Sequence, residues 1–160
     1  MDVPHPVRKP QRLSSYDYRA GWFFVTICTA HRESLFGSLH GAGLIPSPLG
    51  RLVTSCWAEV ARLHEGCEVD HFALMPDLVH GILSLTRTAK EHQTLGSILG
   101  SFKSSVTKLA RAQGCLDRGE LWQRGFHDRI IRDDRELLLT RRYIRENALA
   151  VFVPPRIANR

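Results

Sequence analysis

The chain has no Cys-x-x-Cys pair; its four cysteines, Cys28, Cys56, Cys67 and Cys115, stand far apart. That spacing excludes a zinc ribbon or knuckle. No apolar run approaches the roughly 18 residues that a membrane-spanning helix needs, so no membrane partner is expected. The opening residues, Met1 to Pro10, lack the apolar core of a signal peptide. A cytoplasmic protein with reduced thiols is therefore the expectation. Internal repeats and low-complexity tracts are missing too, and no aromatic string of the kind used by RNA-recognition domains occurs, which argues against an RRM-like RNA binder.

What is present suits one globular domain: 160 residues, 43% hydrophobic and 24% charged. The charge is lopsided. Lys and Arg number 22 against 16 Asp and Glu, for a net charge of +6 and a sequence pI near 9.5. Residues 1 to 86 hold 7 basic and 8 acidic side chains, whereas 87 to 160 hold 15 and 8. A basic surplus confined to one half attracts polyanions, and phosphate backbones are the commonest of these.

Residues 1 to 11, with three prolines and adjacent Arg8 and Lys9, read as an extended arm; 12 to 150 read as the domain and 151 to 160 as a tail. Within the domain, Trp22 to Thr29 is aromatic and β-branched, the pattern of a buried strand. Leu35 to Leu39 and Leu44-Ile45 flank glycines that suit a hairpin turn. Ser47 can cap a helix with Pro48 in its first turn. Leu49, Val53, Trp57 and Val60 then recur at helical spacing until Gly66. Strands are expected at about 67–75 and 79–86, joined by Met75-Pro76-Asp77, because proline disfavours helix on both sides. Thr94 can cap a second helix whose stripe runs from Leu95 through Phe102 to Leu109. A strand near 127–131 and a last helix from Asp133 to about Asn147 complete an α+β chain with antiparallel sheet and packed helices.

Side chains alternate across a strand, so His80 shares a face with Leu78 and Ile82; on those residues alone it is a satisfied histidine in a sheet. Arg124, Arg129 and Arg132 cluster just before the last helix, and Arg141, Arg142 and Arg145 surround Tyr143. That density exceeds what i,i+4 pairing with Glu136 and Glu146 requires and favours phosphate contact. Trp22 and Trp122 sit in apolar contexts that suit the core.

Phe72-Ala-Leu-Met-Pro-Asp-Leu-Val-His80 resembles the strand signature of the REP-associated tyrosine transposases, the single-tyrosine branch of the HUH nucleases. Further motifs recur in the family's order: Tyr16-Asp-Tyr18, Trp22-Phe-Phe-Val-Thr-Ile-Cys-Thr29, Leu35-Phe-Gly37, Phe102-Lys-Ser-Ser-Val-Thr107, Leu121-Trp-Gln-Arg124, Phe126-His-Asp-Arg-Ile-Ile-Arg132 and Tyr143-Ile-Arg-Glu-Asn147. The resemblance spans roughly residues 12 to 150. It implies a ferredoxin-like sheet and a divalent metal, Mg²⁺ or Mn²⁺, gripped by two strand histidines spaced i,i+2. It also implies a helix-borne tyrosine that nicks and rejoins single-stranded or hairpin DNA through a 5′-phosphotyrosine. Tyr143 matches the nucleophile, His80 the second metal histidine, Asn147 the polar residue that completes the metal shell, and Lys103 the DNA-binding surface. Ala148 stands where a proline is usual.

Leu78 occupies the position of the first metal histidine, and Asp77 stands where asparagine is common. Leucine has no lone pair to donate. The resemblance therefore leaves two readings, an active transposase and a catalytically impaired relative that only binds DNA. Asp77 could substitute as an oxygen donor, although alternation points it away from His80; His127 and His71 are further candidates. Either a monomer or a homodimer is compatible with the resemblance.

Overall fold

The computed structural model describes residues 13–41 and 43–147 and the backbone of 151–153. The expected N-terminal arm, Ala148 and the end of the tail lie outside the described residues. Seven strands and three helices follow in order: β1 (Gly21–Cys28), β2 (Gly37–His40), β3 (Gly43–Pro46), α1 (Pro48–Leu63), β4 (Cys67–Leu74), β5 (Leu78–Leu85), α2 (Leu95–Ala112), β6 (His127–Ile131), α3 (Asp134–Glu146) and β7 (Val151–Val153).

The main sheet is wholly antiparallel with strand order β6-β1-β5-β4-β7. Omitting the β2–β3 hairpin, the path β1-α1-β4-β5-α2-β6 with that order is the split βαβ arrangement of ferredoxin-like folds. The fifth strand is a departure from the sequence reading, which placed Val151–Val153 in the tail. These residues pair with Phe72 to Leu74 and extend the sheet beyond β4. Paired prolines stop a helix, but they do not stop the three residues before them from adding to an edge.

The helices begin where their capping residues say they should. Ser47 Oγ accepts from the Gly50 N–H at 3.0 Å, Thr94 and Ser97 form a reciprocal capping box, and Asp133 accepts from the Glu136 N–H at 2.8 Å. Gly66, at φ +70°, turns the chain from α1 into β4. After β1 the chain makes a single 3-10 turn (Ala30–Arg32) in which His31 and Arg32 take φ of 55° and 56°. For non-glycine residues that conformation is costly, and here it aims Arg32 at Asp77.

Two cores lie on opposite faces of the sheet. The larger is roofed by α1 and α2: Trp57 and Phe102 press on Phe23, Val25, Phe72 and Leu83. The smaller lies under α3 and consists of Ala73, Ile82, Ile131 and Ile144, with Trp22, Phe24 and Leu137 at its margin. Strand alternation assigns His80 to the α3 side, because its neighbours Val79, Leu83 and Leu85 belong to the larger core. The register of β4 against β5 shifts between Val69 and Phe72. This bulge holds Asp70 and His71.

Candidate functional site

Thr26, the polar residue between Val25 and Ile27 in β1, is the register partner of two histidines at once: His80 on β5 and His127 on β6. Residues directly opposite in an antiparallel sheet share a face, so all three side chains line the α3 side. The His80 imidazole is 9% exposed, and its Nδ1 lies 2.8 Å from Thr26 Oγ1. Phe24 stacks on it with ring centroids 5.3 Å apart. The Tyr143 ring meets it edge-on at 5.8 Å and meets Phe24 at 6.1 Å. Residues 80 and 143, more than sixty positions apart, thus meet ring to ring, and Tyr143 with Phe24, Thr26, His127, Arg129 and Thr140 lines an adjoining cleft of about 400 Å³. Burial, assisted by the Arg32 charge, pushes the His80 pKa down to about 4. At neutral pH the imidazole is uncharged, the form that can accept a proton or donate a lone pair.

Helix α3 presents Tyr143 half-exposed, at 53%. Two buried residues, Thr140 and Ile144, seat the helix, and polar contacts fix its angle. Arg129 Nη2 donates to Thr140 Oγ1 at 2.8 Å while its guanidinium lies 5.5 Å over the Phe24 ring. From the other flank, Arg141 Nε reaches both Asp70 carboxylate oxygens at 3.1 Å, with its guanidinium 5.8 Å over Trp22. His71 Nδ1 pairs with the same carboxylate. The β4 bulge therefore acts as a catch for the tyrosine helix.

Burial alone raises the Asp70 pKa, but hydrogen bonds from Arg141 and His71 hold it below the ordinary carboxylate value. A depressed folded-state pKa contributes stability above the unfolded value and loses it as pH falls through the folded one. Asp70→Asn is expected to cost about 2 kcal/mol at pH 7, a charge-assisted hydrogen bond's worth. The difference from the natural chain should shrink below about pH 4. Urea unfolding of both chains at pH 7 and pH 3 checks this, and an equal gap at the two pH values would refute it.

The other sequence-selected residues divide. Leu78 opens β5 opposite Cys28, 9% exposed, on the His80 face. The Asp77 carboxylate accepts from Arg32 Nε at 2.7 Å and its carbonyl from the Thr29 N–H and hydroxyl. Asn147 is the C-cap of α3, half-buried and one turn beyond Tyr143. Lys103 donates two of its three ammonium hydrogens to the carbonyls of Gln123 and Gly125, each at 2.8 Å, so it clamps the approach to β6. Arg141 serves Asp70 rather than an outside phosphate. Arg142 Nε pairs with Glu146 at 2.6 Å on the helix surface, an exposed pair of small energetic weight. Arg124, Arg129, Arg132 and Arg145 are exposed. Trp122 is buried and its indole N–H donates to the Lys103 carbonyl at 3.2 Å.

Thr26, Phe24 and the Asp70 catch escaped the sequence reading. A lone hydroxyl in an aromatic strand was the available signal for Thr26; the pairing of Asp70 with Arg141 left none. The donor set does not fit a two-histidine metal grip of the i,i+2 kind, because position 78 offers carbon only. Among the described residues no three His, Cys, Asp or Glu side chains gather in a way that could hold a metal ion.

No helix among the described residues is long and apolar enough to cross a membrane. No family model matches the chain. An uncharacterized protein of Haemophilus influenzae is 31% identical over 161 residues, covering 89% of this chain and 88% of that protein. Among solved structures, a REP-associated tyrosine transposase bound to a REP hairpin superposes with a TM-score of 0.60 at 18% identity, over 83% of this chain and 69% of that one. A transposase-like protein of Deinococcus radiodurans superposes with a TM-score of 0.54 at 17% identity, over 88% and 99%. The chain belongs to the same family as the Haemophilus influenzae protein, and its fold is that of the REP-associated tyrosine transposases.

Proposed function

We propose that this chain binds single-stranded or hairpin DNA across the Tyr143–His80 cleft, as a transposase relative whose cutting step is held down by Leu78. The observation that carries the reading is the 5.8 Å approach of the Tyr143 and His80 rings. A half-exposed phenol, a neutral imidazole and an arginine at one cleft are the groups that nicking chemistry would use. In that chemistry the Tyr143 phenol gives up its proton as its oxygen bonds to phosphorus, the bond from phosphorus to the 3′ oxygen breaks, and the departing 3′ oxygen takes a proton to become a hydroxyl. A 5′-phosphotyrosine remains, and reversal rejoins the strand, the exchange on which DNA transposition depends.

A phenol of pKa about 10 attacks an anionic diester slowly unless the phosphate charge is offset. Arg129, at the cleft wall, offsets part of it. A divalent ion held by two imidazoles spaced i,i+2 cannot, because Leu78 contributes no donor. Binding needs none of that, since phosphate neutralisation by exposed arginines supplies affinity of its own. Arg145, with Arg124 and Arg132, extends the basic surface beyond the cleft.

Fluorescence anisotropy of a labelled hairpin oligonucleotide in EDTA tests the binding. Affinity should fall steeply with salt, and Arg129→Ala and Arg145→Ala should each flatten the log–log slope by about 0.7 to 0.9. Tyr143→Phe should bind as the natural chain does. Absence of salt-dependent binding, or a slope that neither arginine moves, would dismiss the reading.

A further inference from the structure

We propose that the cleft of about 400 Å³ beside Tyr143 is a slot for one unpaired nucleobase, held between the Arg129 guanidinium and the Leu139 side chain. The slot rests on the DNA reading above and specifies which part of the strand the cleft takes. One wall comes from β6, with His127 and Arg129, and the other from α3, with Leu139, Thr140 and Tyr143; Phe24 and Thr26 of β1 lie at the base. The volume falls at the low end of the roughly 300–1,000 Å³ usual for small-ligand pockets. It has room for one nucleotide and none for a duplex.

The two walls offer what the two faces of a base need. His80 of β5 stacks on Phe24 at 5.3 Å, and from β6, on the other side of β1, the Arg129 guanidinium lies 5.5 Å over the same ring. A stack of imidazole, phenyl and guanidinium therefore ends at the cleft in a flat cation, and the hydrogen bond from Arg129 Nη2 to Thr140 Oγ1 at 2.8 Å fixes its position. Guanidinium planes are surfaces on which unpaired bases stack. On the opposite wall, Leu139 is 55% exposed and belongs to neither core. It lies one helical turn before Tyr143, so both side chains share a face of α3. An apolar side chain left out of both cores and turned to the cleft suits the second face of a base. Every base has a π face, so the slot tolerates sequence while requiring that the base be unpaired.

The probe is a labelled hairpin oligonucleotide with a single-stranded tail, bound to the full chain in EDTA, with an abasic site moved along the tail one position at a time. One position is expected at which loss of the base weakens binding about tenfold, within the range that base stacking on a side chain spans. Leu139→Ser should lose about the same factor with the tail intact. Arg129→Lys, which keeps the charge but not the plane, should lose it too. Leu138→Ser, similarly exposed on α3 at 60% but outside the cleft, should bind as the natural chain does. Both leucines lie at the surface, so neither serine variant threatens the fold. Tail binding that no abasic position weakens, or that Leu139→Ser leaves unchanged, overturns the slot while DNA binding stands. Failure to bind any oligonucleotide overturns both.

Discussion

Leu78→His is expected to raise the yield of covalent protein–DNA adduct on a labelled hairpin oligonucleotide in Mn²⁺ by about 10- to 100-fold, the range that changes around a metal commonly span. Position 78 begins β5, two residues before His80 and on the same face of the sheet. An imidazole there lies beside the one already present. Strand alternation keeps the new side chain on the α3 face, away from the larger core that holds Val79 and Leu83. The adduct should vanish when Tyr143→Phe is added, because no other described phenol meets the His80 ring. Denaturing gels of the natural chain, the single variant and the double variant read the result. An adduct as abundant from the natural chain as from Leu78→His would remove position 78 as the limit on cutting.

The second large effect concerns stability. Trp57→Ala is expected to destabilise the chain by about 3–5 kcal/mol, as large aromatic truncations in full cores do. Trp57 is completely buried, stacks on Phe72 at 5.1 Å and meets Phe102 edge-on at 5.3 Å, so it joins α1, the sheet and α2. Its ring fills the space left by Gly81: a Cβ there would stand 2.2 Å from Trp57 Cζ2. Nothing in the interior replaces that volume. The indole N–H is buried without an acceptor among the described residues, so Trp57→Phe forfeits volume but no hydrogen bond seen there and should cost well under the alanine change. Guanidinium unfolding midpoints of the two variants check the ordering, and a loss below about 1 kcal/mol for Trp57→Ala would show that the core closes over the gap.

Much of the architecture was legible because it is locally encoded. Ser47-Pro48, Thr94 and Asp133 announce the helix starts, and the stripe from Leu49 to Val60 has a single period; such signals depend on neighbours a few residues away. Long-range partnerships were not. Asp70 and Arg141 lie 71 residues apart, and a list of arginines cannot separate a guanidinium that seats a helix from one that faces solvent. The structural part of Lys103 was hidden for the same reason: its ammonium serves carbonyls of a loop that the sequence places about twenty positions away. The partner of Asp77 was equally hidden, because Arg32 is carried by an unforeseen 3-10 turn. The meeting of His80 with Tyr143 came from motif order alone, since no periodicity links a strand to a helix sixty residues on.

The sheet divides the molecule unequally, and the division falls between scaffold and reagent. Trp57, Phe102 and the aromatic faces of β1 and β4 stay locked on one side, while the phenol rides on a helix anchored by two buried side chains and one ionic catch. Local opening in proteins begins where the fewest apolar contacts must break. The part that would reach for a nucleic acid strand is therefore also the part the rest can release and recapture without coming undone.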